Sequence, residues 1–292
     1  MKIDWSKIRF DGKYKYKKGQ CPTLIEPLYS NTKDYKKKIR RLRRAIDERQ
    51  QIMYAHDRYS LLTIFQALDA AGKDGTIRAV FNGVNPHGVE ITSFKRPSDT
   101  ELEHNFLWRT AVAMPRRGNI GVFNRSYYEE VLVCRVHPEL VTKYQKMPGE
   151  NTRDLDALFE SRFEAIRASE RYTVDNGTLT LKFFLNLSRD EQRKRFLARI
   201  DEADKNWKFS EADVRERTFW DDYQNAFEDM INETGTPYSP WFVVPADDKK
   251  NMRLIVASAV LKAMKGMDMC YPEVSKGRRK ELARYRKLLE ND

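Results

Sequence analysis

The stretch Ser60-Leu61-Leu62-Thr63-Ile64-Phe65-Gln66-Ala67-Leu68-Asp69-Ala70-Ala71-Gly72-Lys73-Asp74-Gly75-Thr76 decides the fold. Residues 60–68 are a nearly unbroken apolar run of strand length, which predicts a buried strand. A glycine-bearing turn follows, then a helix with Ile77, Val80, Phe81 and Val84 on one face. Strand, tight loop, Gly-Lys and helix is the layout of a phosphate-binding loop. Backbone N–H groups and the helix N-terminus cradle phosphate oxygens, and the lysine supplies a point charge. The match to the Walker A pattern G-x-x-x-x-G-K-[ST] is imperfect: Ala67 replaces the first Gly, and Asp74 replaces the Ser/Thr that would hold Mg²⁺. Alone, such a turn is equally an ordinary βα connection. A carboxylate inside a phosphate cradle repels the ligand unless a divalent cation lies between them. Asp69 is therefore either a solvent-facing turn residue or part of a Mg²⁺ site.

Outward from this turn, the chain alternates strands and helices. Residues 35–57 read as a long helix. VEITSF (89–94) is a second strand, NIGVFN (119–124) a third, LTLKFFLNL (179–187) a fourth and PWFVVPA (240–246) a fifth. Ser98 with Glu101 forms a capping box that predicts a helix through about Met114. Further helices are expected from near Ser126, over 153–170, from Ser188 to about Ala203, over 213–233 and over 248–265. Strands alternating with helices predict an α/β domain whose five-stranded parallel sheet is covered on both faces, a three-layer sandwich. No linker or repeat splits it. The expected organisation is an N-terminal helical arm (1–58), a catalytic domain (59–270) with a lid over 188–212, and a tail (271–292).

The charge is uneven. Lys and Arg total 54 against 43 Asp and Glu in 292 residues. Residues 1–58 hold 17 basic and 7 acidic side chains, residues 59–270 hold 30 and 32, and the tail holds 7 and 4. The excess is densest at Lys36-Lys37-Lys38-Ile39-Arg40-Arg41-Leu42-Arg43-Arg44, where Ile39, Leu42, Ile46 and Met53 supply a helical apolar stripe. A docked helix with one charged face follows. It is either a solvated surface or a site for a polyanion such as nucleic acid, an anionic membrane or a phosphate polymer. A mean hydropathy of -0.74 and the lack of a long apolar run exclude an integral helical membrane protein. The first residues lack the apolar core of a secretory leader. Three scattered cysteines argue against a disulfide framework or a zinc site, and a reducing cytoplasm is the expected compartment.

Three further stretches favour the phosphate reading. Phosphate-loop proteins keep a Mg²⁺-organising acid at the end of the third strand, where this chain has Asn124 followed by Arg125. Arg78 lies one turn past Lys73. The helix after the fourth strand carries Arg189, Arg193, Lys194, Arg195 and Arg199. Arg189 and Arg193 share a face, at the place where a nucleotide kinase keeps its lid.

Together these stretches resemble the polyphosphate kinase 2 family. The resemblance rests on Asp69-Ala70-Ala71-Gly72-Lys73-Asp74-Gly75, Gly83-Val84-Asn85-Pro86-His87-Gly88-Val89, Phe94-Lys95-Arg96-Pro97-Ser98, Phe106-Leu107-Trp108-Arg109 and Asn124-Arg125-Ser126-Tyr127-Tyr128-Glu129. It continues over Ser188 to Trp220 and through Tyr238-Ser239-Pro240-Trp241. It covers roughly residues 20–265. It implies a fold similar to thymidylate kinase, and reversible phosphoryl transfer between inorganic polyphosphate and nucleotides with Mg²⁺ or Mn²⁺. Many members have Asp-Arg-Ser where this chain has Asn124-Arg125-Ser126, and Asn where it has Glu129. That departure resembles class III of the family, which implies AMP and ADP as acceptors, with GMP and GDP as further candidates.

On this reading Lys73, with the backbone of Ala70, Ala71, Gly72, Asp74 and Gly75, holds phosphates at the transfer point. Asp69, Asn124 and Glu129 are the candidate metal-binding residues, with Asn124 and Glu129 bordering the same cavity. Arg125, Arg189 and Arg193 stabilise the transferring group. Arg78, Lys95 and Arg96 line the polyphosphate track, although each is equally an ordinary surface cation. A homo-oligomer, dimer or tetramer, is expected. The alternatives are an ATP-dependent nucleoside monophosphate kinase on the same scaffold and, ranked last, a nucleic-acid-binding protein using the 1–58 arm.

Overall fold

The computed structural model describes residues 3–291. In chain order it contains β1 (Arg9–Phe10), α1 (Thr32–His56), β2 (Ser60–Gln66), α2 (Lys73–Phe81), β3 (Val89–Ser93), α3 (Asp99–Leu102), α4 (Trp108–Ala111), β4 (Ile120–Asn124), α5 (Val133–Val136), α6 (Leu155–Asp175), β5 (Thr178–Asn186), α7 (Arg189–Asp201), α8 (Glu211–Glu216), α9 (Trp220–Thr234), β6 (Trp241–Pro245), α10 (Lys249–Gly266) and α11 (Lys276–Leu289).

One sheet runs in the order β1-β6-β5-β2-β4-β3. The five anticipated strands pair in parallel. The sheet nevertheless has six strands rather than five, because β1 pairs antiparallel with β6, Arg9 opposite Phe242. A two-residue strand has no periodicity to read. It is fixed by tertiary contacts, the Val243 N–H donating to Ile8 O at 2.8 Å and Trp5 packing edge-on to Phe242.

Alternation along each strand divides the core into two layers. Leu61 and Phe65 of β2, Leu181, Phe183 and Leu185 of β5, and Phe242 and Val244 of β6 face α1, α2 and α10. Leu62, Ile64, Phe184, Trp241 and Val243 face α5, α6 and α9. Within α1, Tyr35, Ile39, Leu42, Ile46 and Met53 recur at helical spacing and are buried. The helix therefore packs into the same core as α10, with each fully buried aliphatic side chain contributing about 1.5–3 kcal/mol. The one cation inside β5, Lys182, is fully buried. It donates to Glu170 Oε2 at 2.7 Å, Thr234 O at 2.7 Å and the Tyr128 hydroxyl at 3.0 Å. That satisfies all three ammonium donors and lets a lysine sit in an otherwise apolar strand.

Three anticipated helices are broken. The Ser98/Glu101 capping box is present, but α3 ends at Leu102 instead of continuing to Met114. The Asn105 side chain accepts from Leu107 N at 3.1 Å and His104 stacks on Trp108, a local turn that competes with helix continuation. The helix expected from Ser126 is a 3-10 turn over Tyr127–Glu130 followed by the short α5. There the Tyr127 and Tyr128 hydroxyls both bond Glu170 Oε1, so tertiary contacts set the backbone. The helix expected over 213–233 is likewise interrupted by a 3-10 turn at Arg217–Phe219. The tail contains α11, which was not anticipated.

Candidate active site

β2 lies between β4 and β5, and the chain runs from β2 through β3 to β4 on one side of the sheet and from β5 to β6 on the other. The loop after β2 thus opens at a topological switch point, where parallel sheets bind ligands. Ala70 (φ 63°) and Gly72 (φ 100°) are both left-handed, which folds the loop tightly enough for α2 to start at Lys73. The first bond of that helix runs from Thr76 N to Gly72 O. The N–H groups of Lys73, Asp74 and Gly75 therefore have no intrahelical acceptor, and all three residues line the cleft. Lys73 Nζ folds back to Ala67 O at 2.8 Å. Burial pushes its ammonium below the ordinary lysine range, and Arg125 adds to the shift while Asp69, Glu129 and Asp74 oppose it.

Arg125 is the hub. It follows β4 with φ 65°, a strained conformation for any residue that carries a Cβ, and its N–H donates to Phe65 O of β2. Its guanidinium bridges two carboxylates, Asp69 Oδ1 at 2.9 Å and Glu129 Oε2 at 3.0 Å. Glu129, then burial opposing it, then Asp69 set its titration, and the net effect holds it firmly protonated. The Gln66 carboxamide donates to Glu129 Oε1 at 2.7 Å and accepts from Ser126 N, which fixes Glu129 from behind.

A cleft of about 800 Å³ opens in front of this hub. Ten cationic side chains and only two carboxylates, Asp69 and Asp74, line it. Lys73, Lys95, Arg96 and Arg125 are on this wall. Arg195, Arg199, Lys205, Lys208, Lys249 and Arg253 complete it and were not assigned to the site from the sequence. Behind Arg125 a much smaller pocket is shared by Asp69, Glu129, Asp213, Glu216, Trp220 and Tyr223.

Several expectations do not survive in their original form. Arg189 and Arg193 are exposed and line neither cavity. At 3.6 residues per turn they lie about 120° round α7 from Arg195 and Arg199, which face the cleft. Arg189 and Arg193 instead sit near Arg217, whose titration burial lowers first and these two arginines lower further. Arg195 is buried, and its guanidinium donates to Ala70 O, Ala71 O, Ala246 O and Asp247 O at 2.7–3.1 Å, so it clamps the loop to the end of β6. Arg78 is exposed outside the cleft lining. Glu129 lies on the far side of Arg125 from Asn124 and does not border the same cavity. It is Asp74 that approaches Asn124, accepting from its Nδ2 at 2.7 Å.

Among the described residues, no group of three or more His, Cys, Asp or Glu side chains is placed to hold a metal ion. The site still fits a hard divalent cation. Asn124 Oδ1 is buried with no hydrogen-bond partner, next to Asp74 and with Asp69 on the same cleft wall. An all-oxygen set with one or two carboxylates, completed by substrate phosphates, is how such ions bind in phosphoryl-transfer sites.

A parallel sheet whose switch-point loop presents a lysine under a wall of cations defines a phosphate-handling enzyme of kinase type. The model of the family Polyphosphate kinase 2 (PPK2) matches residues 29–272. The chain is 50% identical over 289 residues to the ADP-polyphosphate phosphotransferase of Rhodopseudomonas palustris, covering 99% of each. It is 42% identical over 232 residues to the AMP/ADP-polyphosphate phosphotransferase of Meiothermus ruber, covering 80% of this chain and 82% of that one. The crystal structure of Polyphosphate Kinase 2 from Arthrobacter aurescens TC1 superposes with a TM-score of 0.84 at 34% identity, over 95% of this chain and 93% of that one. The chain belongs to the polyphosphate kinase 2 family and is an enzyme, a kinase. No helix among the described residues is long and apolar enough to cross a membrane.

Proposed function

We propose that the chain moves phosphoryl groups reversibly between inorganic polyphosphate and nucleotides, with AMP and ADP as acceptors and guanine nucleotides as further candidates. The observation that carries this is the cleft's cation count. Ten cations against two carboxylates exceed what one nucleotide triphosphate needs, and suit a polyanion that runs through the site. The sheet order, loop and overhanging α7–α8 segment favour a phosphate-loop kinase architecture of the thymidylate kinase type, with that segment as a lid. A nucleoside monophosphate kinase using ATP alone fits the cleft less well. So does a nucleic-acid-binding role, since the cations converge on a loop lysine rather than on a groove-reading helix.

The chemistry asks for positioning and charge dispersal, because the acceptor phosphate oxygen is already ionised near neutral pH. The loop N–H groups and Lys73 hold the phosphates at the transfer point. Arg125, fixed by Asp69 and Glu129, points its charge where negative charge develops, and Arg195 keeps the loop in shape. Mg²⁺ or Mn²⁺ held by Asn124, Asp74 and Asp69 would neutralise phosphate charge so that two polyanions can meet. We assign the chain an oligomeric state of dimer or tetramer. The test offers AMP with either long-chain polyphosphate or ATP as donor, at fixed Mg²⁺, with products separated by ion exchange. Polyphosphate-dependent ADP and ATP formation is expected, and AMP turnover by ATP only would overturn the reading.

The start of α1 carries this charge beyond the cleft. Lys250 Nζ bonds Thr32 Oγ1 at 2.9 Å, which places the first turns of α1 beside those of α10, where Lys249 and Arg253 line the wall. Lys36, Lys37, Arg40 and Arg41 are exposed there. Changing all four to Gln should raise the half-saturating polyphosphate concentration and leave that for nucleotide unchanged. Losing four close contacts should flatten the log–log salt dependence of polyphosphate binding by up to about 3. An unchanged slope would make this face a solvated surface.

The Asn124/Glu129 pair bears on acceptor range. Asn124→Asp sets a carboxylate against Asp74, while Glu129→Asn releases one of the two anchors of Arg125. Both changes act on the strip between Lys73 and Arg125, so the double mutant should depart from the product of the singles by about 0.5–3 kcal/mol, and the AMP-to-ADP rate ratio should shift. Independent effects with a constant ratio would leave Glu129 as the anchor of Arg125 only.

A further inference from the structure

The family match ends at residue 272, and three residues further on Ser275 caps a 14-residue helix with no buried side chain, α11. It carries seven basic residues and one acidic. The chain reaches it from Cys270, whose carbonyl lies 3.1 Å from His56 Nδ1 at the last residue of α1. That is the end of α1 and α10 remote from the cleft, and α10 alone spans about 27 Å.

The charges on α11 are sorted. Arg278 pairs with Glu281, Arg286 pairs with Glu290, and Arg279 donates to Val274 O. Lys276, Lys280, Arg284 and Lys287 fall within about 80° on the opposite face. Among the described residues none of these four has an ion pair or a side-chain hydrogen bond. Lys280, Arg284 and Lys287, with Ala283, Leu288 and Asn291, form a shallow open groove along α11 alone, of about 460 Å³. Like charges at i, i+4 repel, and an isolated helix of this length is marginal in water. An anionic ligand in the groove removes that repulsion.

We propose that this face of α11 is a second binding site for the polyphosphate chain, separate from the cleft and reached only by chains long enough to bridge the two. The proposal rests on polyphosphate being the substrate. Holding one chain at two sites makes the second contact intramolecular, so the gain appears with long chains and vanishes with short ones. The other face, with Leu282, Tyr285 and Leu289 exposed, is crossed by Arg278 and offers a membrane or a second copy only a narrow apolar stripe.

The test is the full-length triple variant Lys280→Gln, Arg284→Gln, Lys287→Gln, substitutions that keep helix propensity. The expected result is a rise of about 5- to 10-fold in the half-saturating concentration of chains of several hundred phosphates, with tripolyphosphate kinetics, kcat and nucleotide KM unchanged. Lys280→Arg with Lys287→Arg should keep wild-type behaviour. Direct binding of long-chain polyphosphate, measured without nucleotide, should fall in the triple variant. Because that readout needs no turnover, it separates failure of this site from failure of the proposed reaction. Unchanged long-chain binding overturns the proposal. So does a triple variant whose only change is a smaller oligomer, or one that loses affinity for phosphatidylglycerol vesicles while binding polyphosphate normally.

Discussion

Lys73→Ala lowers transfer in both directions by about 10²–10³, because it removes a cation aimed at developing charge from a water-poor site. The side chain arches over the loop to Ala67 O, so its ammonium is held by the fold before any substrate arrives. Truncation leaves a carbonyl that water can satisfy and should change the melting temperature little. Rates of polyphosphate-dependent ADP and ATP formation, and of the reverse reaction, measured beside thermal melts, separate loss of chemistry from loss of fold. Activity within a few-fold of wild type would remove Lys73 from the transfer point.

Arg125→Ala should do more damage, about 10³ or greater, since it removes the cation facing the acceptor and leaves its carboxylate partners unpaired. In the native protein one guanidinium is paired with both Asp69 and Glu129. Without it Asp69 faces incoming phosphates unpaired and Glu129 behind it loses its partner, so KM for nucleotide should rise as kcat falls. Arg125→Lys keeps the charge but cannot bridge both partners in a planar fork, and should recover only part of the rate. A loss in Arg125→Ala that appears wholly as lower stability, with kcat of the folded fraction intact, would make Arg125 a structural clamp.

The sequence–structure comparison turns on which signals are local. β2, the loop and α2 were legible because a buried strand, a left-handed Gly72 and a helix start are each encoded within a few residues. The helix start at Ser188 was legible for the same reason, its Oγ accepting from Glu191 N at 3.1 Å. β1 was not legible, because two residues carry no period and owe their strand to β6. The arginine assignment on α7 failed at a different step. The helix and its charges were read correctly, but its inward face was not. Phe196, the apolar side chain buried on this helix, lies about 20° from Arg189 and about 100° from Arg195, so the one apolar position does not mark the side that faces the cleft. Lys249 and Arg253 reach the cleft from α10, far along the chain from the loop, and no local motif announces them.

The central claim is that the phosphoryl group passes from polyphosphate to nucleotide at the Lys73–Arg125 strip. It is tested most directly by tracing label from ³²P-polyphosphate in the presence of unlabelled AMP and Mg²⁺, with wild type and Lys73→Ala side by side. The account predicts label in the β-phosphate of ADP and then the γ-phosphate of ATP, at rates that collapse in the variant. Label released only as orthophosphate, or nucleotide labelled equally well by the variant, would contradict it.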